Sequence, residues 1–283
     1  MAEIELSAGT IEYTDTGGDG PVLVFLHGVM VAPTEWRHVV AELAGEYRCV
    51  LPHLPLGSHR RPMRPGADLS HAAMAGLIRE FLERLDLRDV TLVQNDWGGA
   101  QLLVAHGGAE RVARMVLVAC EAFDNYPPGI AGRLLVATAR VPGGLALLAQ
   151  LQRFRAVRRA PGGWGWMSKR PVPAAVMDEW FRPAREQAGV RRDLAAYGLS
   201  TPPREVLLDW AERNRSFEGP VLVVWAAEDR IMPADHGPRL AALYPQGRLV
   251  TIPDSYTLVP EDQPAALTSA IRSFLSETRA AVR

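Results

Sequence analysis

The chain has 283 residues, room for one large domain with an insertion when a domain takes roughly 100–200. Its 48% apolar and 22% charged residues are ordinary for a globular fold. A net charge of −1 gives no electrostatic case for nucleic acid or a membrane as partner, and no apolar run nears the ~20 residues that span a bilayer.

Residues 2 to 16 alternate in polarity and predict a two-stranded hairpin. PVLVFLHG (21–28) predicts a buried strand closed by Gly28. Thr34 opens a predicted helix with Trp36, Val39, Val40 and Leu43 on one face. YRCVLPHLP (47–55) is a further short strand. Ser70 caps a helix carrying Met74, Leu77, Ile78, Phe81, Leu82 and Leu85 at i, i+3, i+4, i+7 spacing. The strand VTLVQ follows, then a turn at Asp96 and a helix from Gly98. ARMVLVAC (113–120), PVLVVWAAED (220–229) and RLVTIPD (248–254) are three more strands. A helix from Pro264 closes the chain, with Leu267, Ile271, Phe274 and Leu275 on one face. Strands alternating with amphipathic helices mean βαβ units, and near-continuous apolar strands mean a mostly parallel, doubly wound sheet covered on both faces.

Residues 123–216 break this rhythm. They contain Pro127, Pro128, Pro142, a Gly-Gly pair and the WGW of 164–166, and they read as short helices that include VMDEWF (176–181) and EVLLDWA (205–211). The division is therefore a core of 1–122 and 217–283 with an inserted helical cap of 123–216. Ligands in open α/β sheets bind beyond the strand carboxyl ends, so the cap roofs that site. Cys49 and Cys120 each end an apolar run and read as reduced core thiols. The start MAEIELSAGTIEY has neither the basic nor the apolar region of a signal peptide, so the expected location is cytoplasmic.

At VTLVQNDWGGAQLLVA (90–105) a strand runs into a sharp turn and then a helix of small residues. That is the geometry of a nucleophile elbow, which lifts one side chain above the sheet over a helix N-terminus. The side chain is Asp96. A carboxylate suits attack on saturated carbon, displacing a halide or opening an epoxide, with an alkyl ester as intermediate.

With Asp96-Trp97-Gly98 and His27-Gly28 in this order, the chain resembles the α/β-hydrolase superfamily, and within it the haloalkane dehalogenases and epoxide hydrolases. The resemblance covers about 21–122 and 219–276. It implies an α/β-hydrolase fold with Asp96 as nucleophile. It implies an oxyanion hole from the backbone N–H groups of Val29 and Trp97 beside His27, and the Trp97 indole as a leaving-group donor. Gln94 stands where such proteins prefer a small residue and crowds the elbow. Val29-Met30 stands where dehalogenases carry a halide ligand or a proline motif. Asp229, at the end of VVWAAED, and Glu121, after Cys120, occupy the two places used for the catalytic acid.

RLVTIPDSYTLVPEDQP matches a family stretch close to D-S-G-H-F-x-P-E-x-Q-P at Asp254, Ser255, Pro260, Glu261, Gln263 and Pro264, but Tyr256-Thr257 replaces Gly-His. Carboxylate attack needs no histidine, whereas hydrolysis of the ester needs a general base, whose loss costs ~10²–10⁴ in rate. Of the seven histidines, His53 is the candidate substitute, at the end of its strand on the same sheet edge. The expected pocket is lined by Tyr256, Thr257, Trp164, Trp166 and Tyr197, with Tyr126 as a second cap tyrosine.

These residues predict an enzyme acting through Asp96 on a small or medium apolar molecule, as a monomer or homodimer, with no cofactor and no metal. Its hydrolytic turnover is open. The alternatives are a non-hydrolytic cyclase, lyase or isomerase using Asp96 as acid or base, and a catalytically dead relative that binds a ligand or partner.

Overall fold

The computed structural model describes residues 1–280, with side chains through Thr278. In chain order the elements are β1 (Ala2–Leu6), β2 (Gly9–Asp15), β3 (Val22–Leu26), α1 (Arg37–Leu43), β4 (Arg48–Pro52), α2 (His71–Arg84), β5 (Val90–Asp96), α3 (Gly99–Ala105) and β6 (Val112–Cys120). Then come α4 (Gly129–Ala139), α5 (Gly144–Leu151), α6 (Arg155–Arg158), α7 (Ala174–Glu186), α8 (Ala188–Leu199) and α9 (Arg204–Arg213). The chain continues through β7 (Val221–Ala226), α10 (His236–Leu243), β8 (Gly247–Ile252), α11 (Val259–Asp262) and α12 (Pro264–Ala280).

The strands form one sheet in the order β1-β2-β4-β3-β5-β6-β7-β8. β1 and β2 pair antiparallel, as does β2 with β4, and every later pairing is parallel. This is the α/β-hydrolase fold, with the predicted hairpin at one edge. Period-two alternation divides the core between the two faces. Val24 and Leu26 of β3 and Val221, Val223 and Trp225 of β7 face α2, α3, α10 and the helices that follow β6. Leu23 and Phe25 of β3 and Leu222, Val224 and Ala226 of β7 face α1 and α12. On α12 the predicted stripe of Leu267, Ile271, Phe274 and Leu275 is buried against that second face. Full burial contributes roughly 1.5–3 kcal/mol for each such side chain.

Two helix starts repay comparison with the sequence. Ser70 caps α2 as expected, its Oγ accepting from the Ala73 N–H at 3.3 Å. The helix expected from Thr34 is instead a 3₁₀ turn over Pro33–Trp36 that leads into α1, with Pro33 at its first position. Proline there forfeits only an N–H that has no helical partner. Between β6 and β7 the regular elements are all helical, and residues of α4, α5 and α8 (the cap) close a cavity with Val29, Asp96 and Glu121 just beyond or at the carboxyl ends of β3, β5 and β6. Both cysteines are buried and free, and burial pushes each thiol up to about 12.

Candidate active site

Asp96 ends β5 with φ at 61°, in the left-handed region that a non-glycine residue occupies at a cost of ~1–3 kcal/mol. Neighbouring groups fix it there. The Asp96 carbonyl accepts from the Glu121 N–H at 2.8 Å, and its Oδ2 accepts from the Val29 N–H at 3.0 Å. Gly28 packs so closely on the carboxyl that a Cβ at that position would lie 2.5 Å from Asp96 Oδ2. A Cβ on Gly99 would lie 2.4 Å from the Trp97 ring. Gln94, expected to crowd the elbow, instead turns its Oε1 to accept from the Ala100 N–H at 2.5 Å and so satisfies an orphan donor in the first turn of α3.

The carboxyl sits at the floor of a cavity of about 110 Å³, walled by Val29, Met30, Glu121, Tyr126, Leu134, Leu135, Leu148, Trp164, Met167, Tyr197 and Ile231 among others. For scale, a dry cavity of about 150 Å³ takes up benzene. Burial in these apolar walls, reinforced by the Asp229 charge and opposed by the Val29 N–H, pushes Asp96 up to about 7. Glu121, half-buried at the cavity edge, is pushed well above the carboxylate range by burial and by Asp96.

Asp229 follows β7. Its Oδ1 accepts from the Ile231 N–H at 2.8 Å, the Met232 N–H at 2.9 Å and the Thr257 hydroxyl at 2.9 Å. Its Oδ2 is buried without a partner. Desolvation outweighs these donors and pushes Asp229 up to about 6. Thr257 is fully buried, and its carbonyl accepts from the Asn95 side-chain amide at 2.7 Å, which also donates to the Val118 carbonyl at 2.9 Å. Asn95 thereby ties the elbow to β6 and to the loop carrying Thr257.

None of the seven imidazoles hydrogen-bonds Asp96 or Asp229. His27 Nε2 accepts from the Leu54 N–H at 2.9 Å, and its Nδ1 lies 2.9 Å from the Gly28 carbonyl, so the ring pins the turn. Burial holds it down to about 4 and therefore neutral. His53, the expected substitute base, lies outside the cavity lining. Its Nε2 is 3.1 Å from Ser58 Oγ, its Nδ1 is 4.0 Å from Glu12, and burial drives it well below the ordinary range. His59 bridges to Asp193 of the cap at 3.1 Å.

Of the expected pocket residues, Trp164 and Tyr197 line the cavity. Three others lie outside its lining. Tyr256 and Trp166 lie against the Arg230 guanidinium, at 4.8 and 5.9 Å from their ring centres, and Thr257 is spent on Asp229. The Trp97 indole is buried at the elbow, and its ring meets that of Tyr197 edge-on at 6.1 Å. The indole N–H offsets a little of the desolvation of the Tyr197 hydroxyl, yet neither atom makes a hydrogen bond of ordinary geometry. The Trp97 backbone N–H, expected in the oxyanion hole, donates to the Asn95 carbonyl at 2.7 Å.

Besides Asn95 and most of the apolar wall, the sequence leaves two buried acids around the site unmarked. Glu35, fully buried, accepts from the Gly28 N–H at 3.2 Å and is pushed well above its ordinary range by burial and by Asp96. Asp262 accepts from the backbone N–H groups of Tyr256, Lys169 and Arg170 and from the Ser168 hydroxyl, fastening cap to core. Glu35 lies in a stretch predicted as a helix with an apolar stripe, and nothing local in the sequence marks it as buried against the Gly28 turn. Among the described residues no cluster of three or more His, Cys, Asp or Glu is placed to hold a metal.

The chain belongs to the α/β-hydrolase fold family, whose sequence model matches residues 21–264. Within the family it resembles the haloalkane dehalogenase branch. It is 29% identical to haloalkane dehalogenase 2 of Mycobacterium tuberculosis, over 94% of this chain and 91% of that one. It is 25% identical to the cis-3-alkyl-4-alkyloxetan-2-one decarboxylase of Xanthomonas campestris pv. campestris, over 94% and 92%. Among solved structures, haloalkane dehalogenase DbeA from Bradyrhizobium elkani superposes with a TM-score of 0.77 at 16% identity, over 99% of this chain and 98% of that one. At that identity the likeness shows the fold alone.

Proposed function

We propose that the protein transfers the alkyl carbon of a small or medium apolar electrophile to Asp96. The electrophile carries a halide or a strained C–O ring, and the product is an ester that no histidine-activated water releases. One observation carries the reading. Asp96 stands at the floor of an apolar cavity with one oxygen held by a backbone N–H, and the neighbouring acid Asp229 is bonded to Thr257 in place of an imidazole. Tyr197, which lines the cavity and whose buried hydroxyl lacks a good partner, is the donor for the leaving atom, with the Trp97 indole behind it.

The same missing base favours one release route. Suppose the substrate is an oxetan-2-one, the class named for the Xanthomonas relative. Attack of Asp96 on the saturated ring carbon that carries the ring oxygen forms the alkyl ester bond and breaks that carbon's C–O bond, freeing a carboxylate. Loss of CO₂ then leaves an electron pair that forms the C=C bond, while the C–O bond to Asp96 breaks and regenerates the aspartate. Neither water nor a base is consumed.

Intact-mass measurement tests both readings on panels of haloalkanes, epoxides and cis-dialkyl oxetanones. An adduct that maps to Asp96 with the first two classes is expected, and alkene with CO₂ from the third. Alcohol or diol released without adduct sinks the missing-base reading. Inertness toward all three sinks the nucleophile reading and leaves Asp96 as an acid, a base or part of a binding pocket.

A further inference from the structure

Six of the ten large apolar side chains exposed among the described residues lie in one stretch of the cap: Ile130, Leu134, Val141, Leu147, Leu151 and Phe154. Leu147 and Phe154 are 62% and 61% exposed. Ile130 with Leu134, and Leu147 with Leu151, are four residues apart and share a face of α4 and of α5, two helices packed on each other. Soluble proteins seldom leave such a patch uncovered without a use for it.

The same stretch is basic. From 125 to 177 the chain has eight Arg and Lys and no Asp or Glu. Arg133, Arg140, Arg153, Arg155 and Arg159 are exposed and make no ion pair among the described residues. Elsewhere Arg48, Arg61, Arg64, Arg84, Arg111 and Arg248 all have carboxylate partners. Arg155 and Arg159 line a surface depression of about 300 Å³ with Arg158, Lys169 and Arg170. Trp164 walls both this depression and the cavity over Asp96, and Leu134 is at once half-exposed and part of the cavity wall. The apolar patch, the unpaired cations and the cavity rim thus belong to one face.

We propose that this face of the cap docks on an anionic lipid surface. Leu147, Leu151 and Phe154 seat in the acyl boundary, the arginines sit on headgroup phosphates, and the cavity rim opens toward the lipid. Apolar side chains interleaved with unpaired arginines, and no acid in the stretch, complement a negative bilayer interface. The whole-chain charge of −1 hides this asymmetry, because residues 123–216 carry 15 Arg and Lys against 8 Asp and Glu. An apolar substrate dissolved in the bilayer then reaches Asp96 without crossing water. The docking does not depend on the chemistry at Asp96.

The test is flotation of the full chain with vesicles of phosphatidylcholine, with or without about 30% phosphatidylglycerol, at about 50 mM and about 500 mM salt. We expect binding to the anionic vesicles at low salt, and binding at least about tenfold weaker without the anionic lipid or at high salt. Leu147→Asp with Phe154→Asp, and separately Arg153→Glu with Arg155→Glu, should each lose the binding about tenfold or more. These four positions are exposed and outside the cavity lining, so both variants should keep the wild-type circular dichroism and label Asp96 with a water-soluble electrophile at the wild-type rate. Asp96→Asn should bind vesicles as the wild type does. No binding at low salt overturns the proposal, as does equal binding to uncharged vesicles or vesicle binding unchanged in both variants. A dimer that the Leu147 and Phe154 substitutions dissociate, with no vesicle binding, assigns the face to a second copy and also overturns it.

Discussion

Replacing Asp96 by asparagine keeps the shape and the acceptor for the Val29 N–H but removes a charge that the fold holds at a cost. Burial raises this carboxyl from 3.8 to about 7. That difference is worth about 4 kcal/mol. Because the folded pKa lies above the unfolded one, the folded chain binds this proton more tightly. The associated stability is therefore intact below about pH 4 and is lost as pH rises through 7. Linkage puts the loss at about 2 kcal/mol by pH 5 and about 4 kcal/mol by pH 8. The side chain is only 5% exposed, so solvent screening trims these figures little. The asparagine variant should accordingly gain on the wild type by about 2 kcal/mol more at pH 8 than at pH 5, as read by urea unfolding of both proteins. An increment equal within about 0.5 kcal/mol at the two pH values would mean a carboxyl that ionises as freely in the fold as in the unfolded chain. The apolar walls would then not desolvate the carboxyl.

The pH dependence of labelling checks the same group kinetically. Only the ionised form attacks carbon, so adduct formation should rise about tenfold per unit below pH 7 and level off above it, and a flat profile from pH 5 to 9 contradicts this. Gly28→Ala places a Cβ 2.5 Å from Asp96 Oδ2 and should slow labelling by about 10²-fold with the fold retained, since about 1 Å of misplacement costs that much. Thr257→His combined with Tyr256→Gly restores an imidazole next to Asp229 and should speed ester release by about 10²–10⁴, followed by mass spectrometry. If this double variant forms the adduct and keeps it unchanged, the absence of a base is not what limits turnover.

The fold was legible because its signals are periodic. Buried β3, β5, β6 and β7 read as apolar runs and α2 and α12 as stripes, and the turn at Asp96 announced itself by an acid and two glycines where regular structure changes type. The cavity walls were less legible. Much of the lining comes from α4 and α5, whose IAGRLLVATA and GLALLAQL are apolar on most sides, so no stripe marks which face looks inward. The polar fasteners were least legible. Gln94 reads as a steric intruder, whereas its Oε1 accepts from the Ala100 N–H, and Asn95, Glu35 and Asp262 act across 7 to 162 positions of chain that no local pattern links.

Those fasteners also explain how the site tolerates its charge. Asp96 lies near three other acids, Glu35, Glu121 and Asp229, and none of the four has a cationic side chain as its bonded partner; backbone N–H groups and one hydroxyl do that work. In such surroundings each ionised carboxyl raises its neighbours, as Asp96 raises both Glu35 and Glu121, so protons take the place that a positive imidazole would fill. In the proposed reaction, alkylation of Asp96 removes one charge and with it the repulsion, which lowers the proton affinity of the acids that remain. Asp229, already the least shifted of the three, then ionises further beside the new ester. A carboxylate held by three donors is a weaker base than imidazole, and its free Oδ2 faces no bonded water-activating partner. The first half-reaction thus leaves the site with one carboxylate fewer and its remaining acids more readily ionised, yet still without an efficient base. That imbalance favours substrates whose own electrons expel the enzyme, as a decarboxylating fragment does, over substrates that wait for hydroxide.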